Sequence, residues 1–281
     1  MSLSVSILAS GSGGNCAVVR GAGGVMLIDC GIGPRTAAGR MKDLGIGIGD
    51  IGAICLTHLD RDHFSTAWVA TIVRRGISVF CHESRLEDLV RVGGGSAEFA
   101  RLLRPFNGEF FSPVGAMKFC AIRLDHDECG SHGFVVESRG CRMGYATDLG
   151  RVQERLIRHF CGVDVLAIES NYDPRMQMHS GRPWFLKQRI MGGRGHLSNS
   201  DALAAVLEIL NQSQAGGRRL PKHIILLHRS RECNCPRLVR ELFGADERIA
   251  GRLTLAEQDR ATGWLSAGDR PVALQLELQW A

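Results

Sequence analysis

A short polar string at residues 56–64 constrains the fold of this chain more than any other feature. It reads Leu56-Thr57-His58-Leu59-Asp60-Arg61-Asp62-His63-Phe64. The apolar run before it, 51–56, predicts a buried strand, and residues 65–75 predict a helix with Ser65 as its cap. Imidazoles and carboxylates gathered in a loop between a strand and a helix are typical ligands of a divalent metal ion. A solvated polar loop is the alternative interpretation.

Composition places the chain among ordinary globular proteins. It has 281 residues, of which 44% are hydrophobic, enough for one large domain or two small ones. No apolar run approaches the ~20 residues that a membrane helix requires, and no basic region precedes the first apolar stretch, so neither a membrane span nor a signal peptide is expected. Ten cysteines are scattered along the chain, several in strand-like runs, which favours reduced thiols in the cytoplasm.

The order of predicted elements indicates an α/β fold. Apolar patterns predict strands at 3–8 and twice more before residue 30, and then at 51–56, 79–81, 117–124, 133–137, 142–146, 163–169, 224–228 and 272–279. Helices are predicted at 34–44, 65–75, 151–160, 198–212 and 236–243. The pattern predicts a four-layer α/β/β/α sandwich of two βα halves, within a single domain spanning 1–281 and with a soft boundary near residue 150. The polar motifs lie at the ends of strands, and this position would gather them at one edge of the sandwich.

The polar string resembles the H-x-H-x-D-H signature of the metallo-β-lactamase fold, with Asp60 where that family usually has histidine. Further motifs follow in order: A-S-G-S-G-G-N-C at 9–16, M-L-I-D-C-G at 26–31, L-D-H-D at 124–127, Y-A-T-D-L-G at 145–150, I-E-S-N-Y at 168–172, G-H-L-S-N at 195–199 and I-I-L-L-H at 224–228. Together they resemble the YycJ/WalJ-like branch of the family, whose members are similar to DNA exonucleases. The resemblance spans residue 3 to about residue 240.

The resemblance implies a site for two divalent metal ions, Zn²⁺, Mn²⁺ or Fe²⁺. One ion would be held by His58, Asp60 and His126, the other by Asp62, His63 and His228, and Asp148 would bridge them. Two ions ~3.5–4 Å apart can hold a bridging hydroxide and polarise a phosphoryl oxygen, which phosphodiester hydrolysis needs. Asp62 is also a candidate for orienting or deprotonating the water.

Other residues are expected to support this site. His196 is a candidate donor to a substrate phosphate or leaving oxygen; alternatively, it is a helix N-terminal residue with local hydrogen bonds. The loop 10–15, which contains Asn15, can present backbone N–H groups near the metals but lacks the G-K-[ST] of a nucleotide-binding P-loop, which excludes an NTPase. Asp29, Glu169 and Asn171 are expected to hydrogen-bond the ligands from behind.

Two departures from the family pattern affect the predicted chemistry. A carboxylate at Asp60 is a harder ligand than imidazole and would shift preference toward Mn²⁺ or Fe²⁺ relative to Zn²⁺. The segment 228–235 reads H-R-S-R-E-C-N-C where the family tends toward H-L-S-x-x-N-N. Cys233 and Cys235 are therefore either extra metal ligands or ordinary thiols, and ordinary thiols are the favoured interpretation.

Charge adds a weaker indication of a nucleic acid partner. The net charge is +5, and basic residues flank His196 and His228. The candidates for phosphate binding are Arg182, Lys187, Arg189, Arg194, Arg229 and Arg231; solvated surfaces are the alternative.

The predicted function is a metal-dependent phosphodiesterase acting on DNA, a 5′-to-3′ exonuclease, with the polarity implied by the resemblance alone. Two alternatives stay open. One is a dinuclear-metal hydrolase of a small phosphodiester, thioester or lactone. The other is a non-catalytic nucleic-acid-binding protein with a degenerate site. The sequence leaves the oligomeric state open.

Overall fold

Two β-sheets of seven strands each form the interior of the part of the chain that the computed structural model describes, residues 2–108, 110–126 and 129–268. The first sheet contains β1 Ser4–Ala9, β2 Cys16–Gly21, β3 Gly24–Ile28, β4 Ile51–Cys55, β5 Ser78–His82, β6 Leu103–Phe106 and β14 Leu265–Ser266. The second contains β7 Phe110–Phe111, β8 Lys118–Leu124, β9 Ser131–Ser138, β10 Cys141–Ala146, β11 Val165–Glu169, β12 His223–Leu227 and β13 Leu253–Leu255. Their spatial orders are β14-β1-β2-β3-β4-β5-β6 and β13-β12-β11-β10-β9-β8-β7.

Helices cover the outer faces of both sheets. Those on the first sheet are α1 Pro34–Lys42, α2 Val69–Arg75, α3 Leu86–Val92 and α4 Ala97–Ala100. Those on the second are α5 Glu154–Phe160, α8 Asn199–Ala215, α9 Pro236–Gly244 and α10 Glu247–Ala250. Helices α6 Pro174–His179 and α7 Trp184–Met191 lie between β11 and α8 in the chain. No helix in the described ranges is both long and apolar enough to cross a bilayer.

Alternation along the strands explains the layering. In β2, Ala17 and Val19 belong to the core between the sheets, whereas Val18 belongs to the core under α1–α4. Side chains of a strand point to opposite faces in turn, so a strand that is apolar at every position is buried on both sides. The four-layer α/β/β/α sandwich that the sequence predicts is thereby confirmed.

Several boundaries differ from the prediction. The chain passes from the first sheet to the second between Phe106 and Phe110, not near residue 150. The strands of 118–146 pair with one another and, through β10, with β11 rather than with β4 or β5. After Ser65 the chain forms a short 3-10 helix, Thr66–Trp68, before α2, and within the described residues the Ser65 side chain makes no capping hydrogen bond. The predicted strand 272–279 lies outside the described residues.

Parallel pairing places the polar motifs together. Strand β4 runs parallel to β3 and β5 in the first sheet, and β11 runs parallel to β10 and β12 in the second. Parallel strands present their carboxyl ends at one edge, where ligand sites of open α/β sheets usually form. Asp29 and His58 follow β3 and β4, while Asp148 and His228 follow β10 and β12.

Candidate metal centre

Three residues of the centre have a left-handed backbone. Among the described residues, four that are not glycine have positive φ, and three of them are Asp29 (58°), Asp148 (51°) and His228 (51°). Each lies within two residues of the end of a strand. Such a conformation costs about 1–3 kcal/mol in a residue that has a Cβ, so it persists only where surrounding contacts hold it. The fold therefore bends the chain sharply at the points where these side chains enter the centre.

His58, Asp60 and His126 form the first group of neighbouring ligand atoms. The Asp60 Oδ2 atom lies 3.8 Å from His58 Nε2 and 4.0 Å from His126 Nε2. The Nδ1 of His126 is 2.9 Å from the Gly195 carbonyl, to which it donates, so its Nε2 keeps a lone pair. The Nε2 of His58 is buried without a hydrogen-bond partner among the described residues. A buried nitrogen in that state fits a position beside a metal ion.

Asp62, His63 and His228 form a second group, and Asp148 lies against it. Asp62 Oδ2 is 3.7 Å from His63 Nε2 and 3.3 Å from His228 Nε2. Asp148 places Oδ2 2.8 Å from His63 Nε2 and Oδ1 3.2 Å from His228 Nδ1. His58, His63 and Asp148 also have ligand atoms within 4.8 Å of one another, so Asp148 adjoins both groups. The structure thus brings together all seven residues that the resemblance implies as metal ligands.

Asp29 fixes the orientation of His63. Its buried carboxylate accepts hydrogen bonds from His63 Nδ1 at 2.7 Å and from the Thr57 backbone N–H at 2.8 Å. The Thr57 hydroxyl lies 2.9 Å from the same carboxylate and 2.9 Å from His58 Nδ1. A carboxylate behind an imidazole sets which ring nitrogen faces a metal, and here it directs His63 Nε2 toward Asp148. The role of Thr57 was not predicted, although its place at the end of the strand signals it.

The loop 10–15 contacts the second group. Asn15 Nδ2 is 2.9 Å from His63 Nε2 and 3.2 Å from Asp62 Oδ2, and Asn15 Oδ1 accepts from the Gly11 N–H at 2.9 Å. Gly31 packs against the same loop: a Cβ built there would lie only 1.8 Å from the Asp62 carbonyl oxygen. Only glycine permits that approach, which explains the glycine that closes the 26–31 motif.

Glu169 holds two imidazoles from the opposite side. Its Oε1 is 2.8 Å from His196 Nδ1 and 3.1 Å from His228 Nδ1, and its Oε2 accepts from the Leu149 N–H. Asn171 donates through Nδ2 to the His228 carbonyl oxygen at 2.6 Å. Glu169 is fully buried, whereas the His196 side chain is 22% exposed. His196 therefore has one nitrogen fixed by a carboxylate and an edge that solvent can reach.

Burial and the surrounding charges set the protonation states of the centre. Burial and the neighbouring His63 hold the pKa of His58 well below its usual range, so His58 is a neutral base. Burial also lowers the pKa of His228, but Asp148 and further carboxylates raise it to about 10. Burial raises the pKa of Asp148, yet His228 and His63 hold it well below the usual value. Excess carboxylate charge is thus balanced by imidazolium, a balance that divalent cations would also provide.

A cavity of about 560 Å³ opens onto the first group, lined by His58, Asp60 and His126. Three basic residues also line it: Arg85, Arg189 and Arg194. Arg85 was not predicted, because no sequence motif marks the turn after β5.

Four further predicted basic residues lie outside the lining of this cavity. Arg182 pairs with Glu232 at 3.0 Å, and Lys187 Nζ donates to the Met178 carbonyl oxygen at 2.7 Å. Arg229 donates to the Ala256 carbonyl oxygen at 2.9 Å, and Arg231 pairs with Asp259.

Comparison with known proteins assigns the family. A model described as beta-lactamase superfamily domain matches residues 25–224. The chain belongs to the β-lactamase superfamily. It is 27% identical over 247 residues to exodeoxyribonuclease YycJ of Bacillus anthracis, covering 85% of this chain and 87% of that relative. It is 27% identical over 237 residues to exodeoxyribonuclease WalJ of Streptococcus pneumoniae serotype 2, covering 83% and 84%.

A solved structure supports the same assignment. The metallo-β-lactamase fold protein YhfI of Bacillus subtilis superposes with a TM-score of 0.67 at 13% identity, covering 93% of this chain and 99% of that one. This likeness shows the fold, while the family model and the two relatives confirm the resemblance inferred from the motifs. The chain is a metallo-β-lactamase fold hydrolase.

Cys233 and Cys235 take no part in the centre of this superfamily member. Within the described residues, neither belongs to a group of neighbouring ligand atoms. Cys233 is buried against Tyr172 and Ile190, and Cys235 directly precedes α9. Of the two interpretations drawn from the sequence, the structure favours ordinary thiols.

Proposed function

We propose that this chain hydrolyses the phosphodiester bonds of DNA as a 5′-to-3′ exonuclease. The observation that carries the proposal is the juxtaposition of two metal-ligand groups with a cavity that basic residues line. That cavity is lined both by the first group, including Asp60, and by Arg189 and Arg194. The relatives at 27% identity are named exodeoxyribonucleases, which supports DNA as substrate. The polarity rests on the resemblance to their branch.

The donor set fits two divalent metal ions. His58, Asp60 and His126 would hold one, and Asp62, His63 and His228 the other, with Asp148 between them. Such ions, Zn²⁺, Mn²⁺ or Fe²⁺, would lower the pKa of a water molecule and polarise a phosphoryl oxygen. The mixture of imidazole and carboxylate donors suits all three metals.

Asp62 and His196 are the candidates for accepting and donating protons during the reaction. Hydrogen bonding to His228, together with nearby imidazoles, lowers the pKa of Asp62 in spite of burial, so its carboxylate is ionised and can accept a hydrogen bond from the attacking water. His196 donates through Nδ1 to Glu169, which leaves Nε2 available to give a proton to the leaving oxygen as the P–O bond breaks. The Glu169 carboxylate balances the charge of the protonated ring.

Arg189 and Arg194 would bind phosphates of the strand near the scissile bond. Guanidinium groups pair with phosphate oxygens in two-pronged hydrogen bonds, which fix the position of a strand without reading its sequence. The cysteines of the described ranges form no disulfide with one another, which supports the proposal that this enzyme acts in the reducing cytoplasm.

The test is hydrolysis of a 5′-labelled oligonucleotide by protein loaded with Zn²⁺ or Mn²⁺. We expect release of the label as a mononucleotide and loss of at least ~10³-fold activity in Asp148→Asn, because electrostatic contacts at a reacting centre contribute on that scale. Asparagine tolerates the left-handed backbone at this position, so the melting temperature of the metal-free protein should change little. Asp43→Asn, at an exposed position after α1, is the matched control. Activity of Asp148→Asn within tenfold of the wild type would contradict the proposed centre.

A small phosphodiester is the second candidate substrate. Pockets for small molecules usually enclose ~300–1,000 Å³, and the cavity beside Asp60 lies within that range at about 560 Å³. Turnover of a small activated diester without hydrolysis or binding of any oligonucleotide would favour this candidate. Oligonucleotide binding without turnover of either substrate, in a metal-loaded sample, would indicate a non-catalytic protein.

A further inference from the structure

Two large aromatic side chains lie exposed at the start of α7. Trp184 is 59% exposed and Phe185 is 71% exposed. The opposite face of the helix is anchored, because Ile190 is buried against Tyr172 and Leu186 packs on the same cluster. Adjacent exposed rings on a helix that has already buried its apolar side mark a surface for binding.

The exposed face of α7 continues into the cavity of the candidate centre. Residues four apart lie on one side of a helix, so Trp184 aligns with Gln188 and Phe185 with Arg189. Gln188 and Arg189 both line the cavity beside the first group. Four residues of helix rise about 6 Å, so the two aromatic residues lie within about one or two nucleotide spacings of the lining residues on the same side of the helix.

The segment that follows α7 is fixed to the centre. A Cβ built at Gly195 would lie 2.3 Å from the Arg189 carbonyl oxygen and 2.7 Å from the Ile190 Cα, so the chain returns directly against the end of the helix. The Gly195 carbonyl accepts the hydrogen bond of His126 Nδ1. The aromatic face is therefore held at a constant position relative to the first group.

We propose that Trp184 and Phe185 form a stacking platform for the unpaired bases of a single-stranded DNA end whose phosphodiester lies in the cavity. This inference rests on the proposed function and adds a strand preference to it. Single-strand-binding proteins combine aromatic rings, which stack on bases, with positive charges that follow the phosphates. Here the rings lie at one end of α7, and Arg189 and Arg194 lie at the other end and just beyond it. That charge favours nucleic acid over a second copy of the chain as the occupant.

The test compares the double variant Trp184→Ala/Phe185→Ala with the wild type on three substrates. We expect binding and hydrolysis of a single-stranded oligonucleotide to weaken at least ~tenfold, since each base–ring stack contributes on that scale. A blunt duplex should lose less, and a small activated diester should be hydrolysed at the wild-type rate, because neither needs the rings. The slope of log Kd against log salt should stay unchanged, since the variant removes no charge.

Controls separate stacking from loss of structure. Trp184→Phe/Phe185→Tyr keeps both rings and should retain oligonucleotide binding, and Leu242→Ala, at an exposed apolar position of α9, should have no effect. Quenching of Trp184 fluorescence by the oligonucleotide should disappear in the Trp184→Phe variant.

Three results would overturn the proposal. Wild-type binding of oligonucleotides by the double alanine variant would remove the platform and leave the exonuclease assignment intact. A wild-type dimer that this variant converts to a monomer in light scattering would assign the surface to self-association. No oligonucleotide binding by the wild type would overturn the platform and the DNA substrate together.

Discussion

Asp60 is the residue of the first ligand group that we expect to set its metal preference. Its side chain is 57% exposed, far more than the 7% of His58 and of His126, and its Oδ2 lies about 4 Å from both. We predict that Asp60→His strengthens the binding of Zn²⁺ relative to Mn²⁺, because a borderline donor replaces a hard one. Competition titrations of the two ions on both proteins measure the change.

A neighbouring variant controls for the added imidazole. Arg61 is exposed in the same loop, and Arg61→His should leave the ratio of the two affinities unchanged. An identical ratio in Asp60→His and the wild type would show that Asp60 does not touch the ion.

The sequence identifies the candidate ligands because they lie close together or directly after apolar strands. His58, Asp60, Asp62 and His63 lie within one string, and Asp148 and His228 each follow a strand that apolar residues mark. The contacts of the basic residues were less predictable, since a charged residue in the sequence does not show which group its side chain will contact. Arg231 pairs with Asp259 from a distant segment, whereas Arg85 reaches the cavity from a turn that no motif marks.

At the scale of elements, the segment between α7 and α8 joins the cavity wall to the first ligand group. We predict that Gly195→Ala lowers hydrolysis of every substrate by ~10²-fold, because displacement of a catalytic group by about 1 Å has that effect. The added Cβ would collide with the end of α7 and move the carbonyl that holds His126. Steady-state rates on a small activated diester measure the loss.

Gly181→Ala is the matched control. It lies before the same helix, and a Cβ there meets nothing within 4 Å, so its rate should equal that of the wild type. Equal rates for both variants would mean that this segment does not position His126.

Element length decided which elements the sequence revealed. Strands such as β8, with seven residues, and helices such as α8, with seventeen, have a pattern long enough to recognise. Strand β14 has two residues and exists through its pairing with β1. The four-residue helices α4 and α10 are too short to be stable alone, so tertiary contacts stabilise them. No local sequence pattern predicts them.

At the scale of the molecule, the predicted basic residues divide into those that line the cavity, such as Arg189 and Arg194, and those outside its lining, such as Arg182 and Arg231. We predict that Arg189→Ala/Arg194→Ala flattens the slope of log Kd against log salt for a duplex oligonucleotide by up to ~2 units, since two phosphate contacts are lost. Arg182→Ala/Arg231→Ala should change it far less, because neither of those side chains lines the cavity. Fluorescence anisotropy across a salt series measures both slopes.

An equal reduction of the salt slope by the two pairs of substitutions would mean that DNA does not follow the cavity.

The whole fold was more predictable than the division between its halves. Alternating apolar strands indicated four layers, but which sheet each hairpin joins depends on long-range pairing, and the change of sheet therefore falls some forty residues earlier than expected.

The two sheets each supply part of the candidate metal centre. The first contributes the loop after β4, and the second contributes the ends of β8, β10 and β12. An ion bound by ligands from both sheets joins the two halves of the fold, and its binding site is complete only when the two sheets are packed together. By mass action it favours the native chain over the unfolded one, by about 1.4 kcal/mol for each tenfold excess of free ion over its dissociation constant. Metal supply would thereby set the fraction of the enzyme that is folded as well as its turnover.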